Sequence, residues 1–184
     1  MEIIKTEIEG LLIIKPKVFE DNRGYFFESF NKQVFEENGI NYNFIQDNES
    51  KSSYGVIRGL HYQLAPYAQT KLVRVLQGKV LDVAVDLRKG SPTFGKWHSI
   101  ELSAENKTQF LIPQGFAHGF SVLSETAIFA YKCDNLYNKE SERGINFNDK
   151  SLNIDWKIPA DKAIISAKDK VNPCLNDAEM NFIY

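Results

Sequence analysis

The chain has 184 residues, 43% of them hydrophobic and 25% charged, with a formal net charge of −2; this is the size and balance of one soluble globular domain spanning residues 1–184, not of a disordered or fibrous chain. There is no Lys/Arg run, so no nucleic-acid partner is expected and any anionic ligand has to be met by a local pocket. Residues 1–10 hold no apolar stretch long enough for a signal peptide or membrane helix, and Cys133 and Cys174 are too few for a disulfide framework; no membrane contact and a reducing cytoplasm are expected.

Short apolar alternations punctuated by turn residues predict an all-β sandwich or barrel. In chain order the strands are expected at residues 11–16, 25–30, 43–46, 56–63, 71–76, 80–87, 96–102, 108–112, 118–123 and 127–133. One helix is expected at residues 32–38, with Asn31 as N-cap and Gly39 as terminator. The clearest strand sets Leu81, Val83, Val85 and Leu87 on one face and Asp82 and Asp86 on the other. It follows residues 71–76 after Gln77-Gly78, which reads as a hairpin. Residues 137–155 are polar and turn-rich, and the tail from Pro159 is weakly helical or irregular. There is no internal repeat, low-complexity tract or linker.

Gly55 with His61 six residues on, and Pro113-Gln114-Gly115-Phe116-Ala117-His118, resemble the paired motifs of the cupin superfamily. The resemblance implies a double-stranded β-helix, a jelly-roll barrel whose interior faces a pocket, with a few short peripheral helices. A metal-binding cupin supplies several His and a carboxylate to one ion. Here the residue two after His61 is Gln63, and the only histidines are His61, His98 and His118, which argues against a metal.

Val56-Ile57-Arg58-Gly59-Leu60-His61-Tyr62-Gln63 is similar to the signature of the dTDP-4-dehydrorhamnose 3,5-epimerases, themselves cupin-like barrels. Further blocks match in family order from Phe19-Glu20-Asp21-Asn22-Arg23-Gly24 through Gln46-Asp47-Asn48, Lys71-Leu72-Val73 and Tyr131-Lys132 to Ser166-Ala167-Lys168-Asp169, a whole-chain resemblance. It implies cofactor-independent inversion of the two carbons flanking the C4 ketone of dTDP-4-dehydro-6-deoxy-D-glucose, giving dTDP-4-dehydro-L-rhamnose for dTDP-L-rhamnose biosynthesis. Each inversion needs a base for the carbon-bound proton, a donor for the enolate oxygen, and an acid on the opposite face. The ketone itself accommodates the carbanion, so no cofactor is expected.

His61 suits the base, since imidazole is largely neutral yet basic near pH 7. The resemblance assigns it that role and makes Asp169, which local sequence reads as an exposed turn aspartate, its partner. It brings Lys71, by default a solvated strand-end lysine, into the pocket to meet the oxyanion. Tyr131 shares a strand face with Phe129 and Cys133, expected to be the barrel interior; the resemblance makes it the general acid. By the same route His118 contacts the sugar, Tyr137 stacks on thymine, and Arg23 and Arg58 bind the diphosphate. Glu28, Gln46, Asp47, Asn48, Glu142 and Lys168 fall on nucleotide- or sugar-binding positions. The resemblance also implies a homodimer whose strands contribute across the interface.

Arg58 and His61 are three apart, so on a straight strand they point to opposite faces. Either Gly59 sits at a bulge that restores the phase, or the pocket is built at a strand end or by a neighbouring subunit. Rival functions are an epimerase acting at C3 or C5 alone, a non-catalytic nucleotide-sugar-binding jelly roll, and a metal-dependent cupin oxygenase.

Overall fold

Side chains alternate along each strand, so two facing sheets bury the inward half of their residues between them and need a second cover for the outward half. The computed structural model, which describes Met1–Tyr184, is built on this plan. One sheet has six antiparallel strands in the spatial order β1 (Glu2–Lys5), β2 (Leu12–Lys15), β10 (Gln109–Ile112), β7 (Lys71–Gln77), β12 (Thr126–Cys133) and β5 (Gln46–Ser53). The facing sheet runs β13 (Glu142–Gly144), β6 (Val56–Gln63), β11 (Phe116–Val122), β8 (Lys79–Asp86) and β9 (Trp97–Ser103), with β14 (Ile164–Ile165) added parallel to β6. A separate hairpin joins β3 (Phe19–Asp21) to β4 (Gly24–Phe26). Only two short α-helices lie outside this frame, α1 (Lys32–Glu37) and α2 (Ala167–Lys170). The result is the expected jelly roll.

Three layers of apolar side chains hold it. Val73, Val75, Val80, Ala84, Phe110, Phe120 and Phe129 fill the space between the sheets. Leu60, Leu81, Val83, Val85 and Leu87 face outward from the second sheet and are covered by Leu152, Trp156, Leu175 and Phe182. The tail from Pro159, irregular and weakly helical as expected, is part of this coat through Leu175 and Phe182. On the outer side of the first sheet, Leu72, Leu111 and Ile14 pack under Phe35 of α1 and Ile40. Asn31 caps α1 by accepting the Val34 N–H, as expected, and Gly39 follows with φ of 79°.

The expected hairpin between residues 71–76 and 80–87 does not form. β7 pairs with β10 and β12, whereas β8 pairs with β11 and β9 in the facing sheet. Gly78, at φ 76°, carries the chain from one sheet to the other, and a Cβ there would lie 2.0 Å from the Thr126 carbonyl oxygen. The strand expected at residues 43–46 instead runs over Gln46–Ser53, and that expected at residues 25–30 ends at Phe26. β1 was not anticipated.

One irregularity orients the inner face of β6. Along its pairing with β11, His61 lies opposite His118 and Arg58 opposite Phe120, so Gly59 and Leu60 together face the single Gly119. That bulge restores the phase: Arg58 and His61 share the inward face, while Leu60 is buried outward. The two backbones touch here, since a Cβ on Gly59 would sit 2.6 Å from the Gly119 Cα and 2.9 Å from the His118 carbonyl oxygen. Gly59→Ala is expected to destabilise the fold by about 3 kcal/mol through φ strain and overpacking. Gly39→Ala, where nothing lies within 4 Å, should cost about 1 kcal/mol. Urea unfolding of the two variants checks the order.

Candidate active site

The two sheets present different chemistry to the space between them. From the first, β7 directs Lys71 inward, β12 directs Tyr131 and Cys133, and β5 directs Gln46, Asn48, Ser50 and Ser52; the strands are locked in register with Lys71 opposite Cys133 and Tyr131 opposite Asn48. From the second come Arg58 and His61 of β6, His118 of β11 and Asp82 of β8. The rings of Phe120 and Phe129 stack among the apolar side chains between the sheets, 4.2 Å between centroids.

His61 Nε2 lies 2.6 Å from Asp169 Oδ1. Asp169 is not an exposed turn residue: it is 3% accessible, set in the first turn of α2, where its N–H is capped by Ser166 Oγ. Burial opposes its ionisation, but the hydrogen bond and charge of His61, the Ser166 hydroxyl and the Gly59 N–H hold its carboxyl below the usual aspartate range. With Asp169 ionised, Nε2 carries the ring hydrogen and Nδ1 is left to take a proton.

A second pair lies deeper. His118 Nε2 is 3.0 Å from both oxygens of Asp82, and both residues are buried. Burial pushes the His118 imidazole down and the Asp82 carboxyl up, while their mutual attraction opposes both shifts. Asp82 was visible in the sequence as a carboxylate alternating with an apolar face, but was not assigned to the site. Because Asp82 engages His118, Lys71 enters the cavity with no ion-pair partner, its ammonium 5.9 Å from the centre of the Tyr131 ring. Burial pulls the Lys71 pKa down and pushes that of Tyr131 up, so Tyr131 keeps its phenol proton at neutral pH. Cys133 is pushed up to about 11 by burial and stays a thiol.

At the mouth, Arg58, His61, Lys168 and Asp169 line a groove of about 340 Å³. Glu142 joins the rim, accepting from the Tyr137 hydroxyl at 2.9 Å and from Lys168 at 2.5 Å. Gln46 accepts the Tyr137 N–H and donates to Asn48. Three expected site residues are not in this cavity. Asp47 alternates outward from β5 and pairs with Lys132 at 2.9 Å. Arg23 is paired with Asp21 on the exposed β3–β4 hairpin, and Glu28 accepts from Asn31. The chain on either side of Glu28 lies over the outer face of the first sheet, where Phe27 meets Arg74 and the Ser29 carbonyl accepts from Gln109.

The two sheets thus contribute an imidazole from β6 and a phenol from β12, with the Lys71 side chain beside the phenol. That arrangement suits proton removal and return on opposite faces of a carbon next to a carbonyl.

The family model described as dTDP-4-dehydrorhamnose 3,5-epimerase matches residues 5–177. A dTDP-4-dehydrorhamnose 3,5-epimerase of Shigella flexneri is 61% identical over 182 residues, 98% of this chain and 94% of its own. The crystal structure of a dTDP-4-dehydrorhamnose 3,5-epimerase from Elizabethkingia anophelis NUHP1 superposes with a TM-score of 0.92 at 60% identity, covering 96% of this chain and 97% of that one. A dTDP-6-deoxy-D-glucose-3,5-epimerase from Legionella pneumophila Philadelphia 1, solved in complex with dTDP-4-keto-L-rhamnose, also superposes at 0.92, with 53% identity over 96% of this chain and 93% of its own.

The lowered Asp169 pKa has a measurable sign. In the acid range the unfolded chain binds the proton that the native carboxylate resists, so stability rises with pH there and the Asp169 contribution is complete above the ordinary aspartate value. Asp169→Asn should lose about 2 kcal/mol at neutral pH, and the gap to the native chain should narrow as pH falls to about 3. Urea titrations at both pH values would show it; a gap independent of pH would mean that the carboxylate is not ionised against His61.

Proposed function

The chain belongs to the dTDP-4-dehydrorhamnose 3,5-epimerase family, and from that premise we propose how its inner walls carry the reaction. The chain is an isomerase that epimerises C3 and C5 of dTDP-4-dehydro-6-deoxy-D-glucose, giving dTDP-4-dehydro-L-rhamnose in dTDP-L-rhamnose biosynthesis. The observation that carries the residue assignment is the placement of His61 and Tyr131 on opposing sheets.

In this reading His61 Nδ1 removes the proton from the carbon beside the C4 ketone, and the electron pair passes into the enolate. Asp169 stabilises the imidazolium as it forms. The Lys71 ammonium, which makes no direct ion pair, faces the developing oxyanion, with His118 beside it. Tyr131 then donates its phenol proton to the carbanion from the other wall. A phenol whose pKa is raised is still far more acidic than a carbon next to a ketone. Each inversion leaves a protonated His61 and a Tyr131 phenolate, and exchange with solvent resets both. Asp82 orients His118 from behind.

Arg58 and Lys168 receive the diphosphate at the mouth, Gln46 and Asn48 the polar edges of the nucleotide, and Tyr137 offers its exposed ring to the thymine. Arg23 and Glu28 are supplied by a second copy in a homodimer. The hairpin that bears Arg23 exposes Phe19, Tyr25 and Phe26, a surface that a partner would cover. No helix is long and apolar enough to cross a membrane, and two free thiols fit a cytoplasmic location.

NMR of the 4-keto sugar nucleotide in heavy water should show deuterium at both C3 and C5. His61→Ala should slow this exchange about 10³-fold, whereas Tyr131→Phe should impair net epimerisation more than exchange. Equal loss of both in Tyr131→Phe would count against its role as the acid. If the pocket is shared between subunits, mixing Arg23→Ala with His61→Ala chains should restore activity, because the hybrid dimer carries one intact site. Hybrid dimers that remain inactive would sink the shared site.

A further inference from the structure

Four arginines that the structure ties to other side chains fall into two groups. Arg23, Arg88 and Arg143 each hold a carboxylate, from Asp21, Asp86 and Glu179. Arg58 holds a hydroxyl instead: its Nε donates to Ser52 Oγ at 3.1 Å. The serine is 8% accessible while the arginine is exposed. An ion pair fixes a guanidinium by neutralising it, whereas a hydroxyl fixes it and leaves its charge available.

The link also crosses the fold. Ser52 lies on the inner face of β5, in the first sheet, and Arg58 on β6, in the facing one. Arg58 reaches inward because the bulge at Gly59 sets its phase relative to His61. With Nε held, the edge formed by the two terminal nitrogens is left free, and that edge carries the parallel N–H groups that match two phosphate oxygens. An unrestrained arginine would have to surrender its rotamer freedom on binding.

We propose that Ser52 is a positioning residue for Arg58: it pre-orients the guanidinium, without neutralising it, toward the diphosphate of the nucleotide sugar. The inference rests on the reading that Arg58 binds that diphosphate. It places Ser52 in ground-state binding rather than in the chemistry.

The test is calorimetric titration of the purified full-length protein with dTDP, together with steady-state kinetics and thermal unfolding. Ser52→Ala should weaken dTDP binding roughly fivefold, the loss of one hydrogen bond, and raise KM by a similar factor with kcat within about twofold. Ser52→Thr, which keeps the hydroxyl, should restore both. Ser52→Asp should bind dTDP more weakly than Ser52→Ala, because it adds a carboxylate beside the guanidinium. In an Arg58→Lys background, which has no Nε–H, Ser52→Ala should add nothing. Unchanged dTDP affinity in Ser52→Ala, or a full additional loss in the Arg58→Lys background, would overturn the proposal; so would a fall in Tm alone, which would make Ser52 a staple between the sheets. Failure of the epimerase assignment is read separately, as absence of deuterium incorporation by the unaltered protein.

Discussion

At Gly59 and Gly119 two neighbouring strands come too close for any side chain between them, and the site is organised around that contact. The bulge spends Gly59 and Leu60 against one residue of β11, so that Leu60 stays in the outer apolar layer while Arg58 and His61 both turn inward. The histidine so aimed meets the Asp169 carboxylate at 2.6 Å. A regular strand would pair its backbone equally well and lose the alignment. A local departure from regularity thus supplies the function of this strand.

Charge is divided unevenly among the buried groups. Each inward histidine is joined to one carboxylate, His61 to Asp169 near the surface and His118 to Asp82 in the interior, while the ammonium of Lys71 is left to itself. A buried cation without a direct ion pair is unfavourable and is relieved when negative charge develops beside it. Its destabilisation in the free protein and the role proposed for it toward an enolate have one physical origin. The stability that sustains it comes from the apolar layers on both faces of each sheet.

Much of this was legible in the chain, and the failures have physical causes. The motif around His61, the alternation that turns Tyr131 inward and the cap of the first helix are local patterns. Asp169 looks like a surface residue because the side chain it meets, His61, lies more than a hundred positions away in the chain. Asp82 stood on the less apolar face of its strand, but sequence does not reveal that both faces of β8 are buried. Gly78 reads as the turn of a hairpin because a tight turn within a sheet and a passage between sheets use the same residue. The sequence signals a strand at residues 43–46 rather than over β5 because the eight residues of β5 contain no hydrophobic side chain, so the alternation that marks other strands has nothing to act on.

That strand has a further significance for the molecule's life in solution. β5 forms the outer edge of its sheet and leaves one side of its backbone without a neighbour. A bare edge of this kind invites pairing with any other extended chain. Here it is flanked by Asp47, Glu49 and Lys51 on the outward face and by amides and hydroxyls on the inward one. The polar composition that lets β5 present amides and hydroxyls inward also makes it a poor template for fibrous aggregation, so the proposed ligand contacts and colloidal solubility draw on the same short strand.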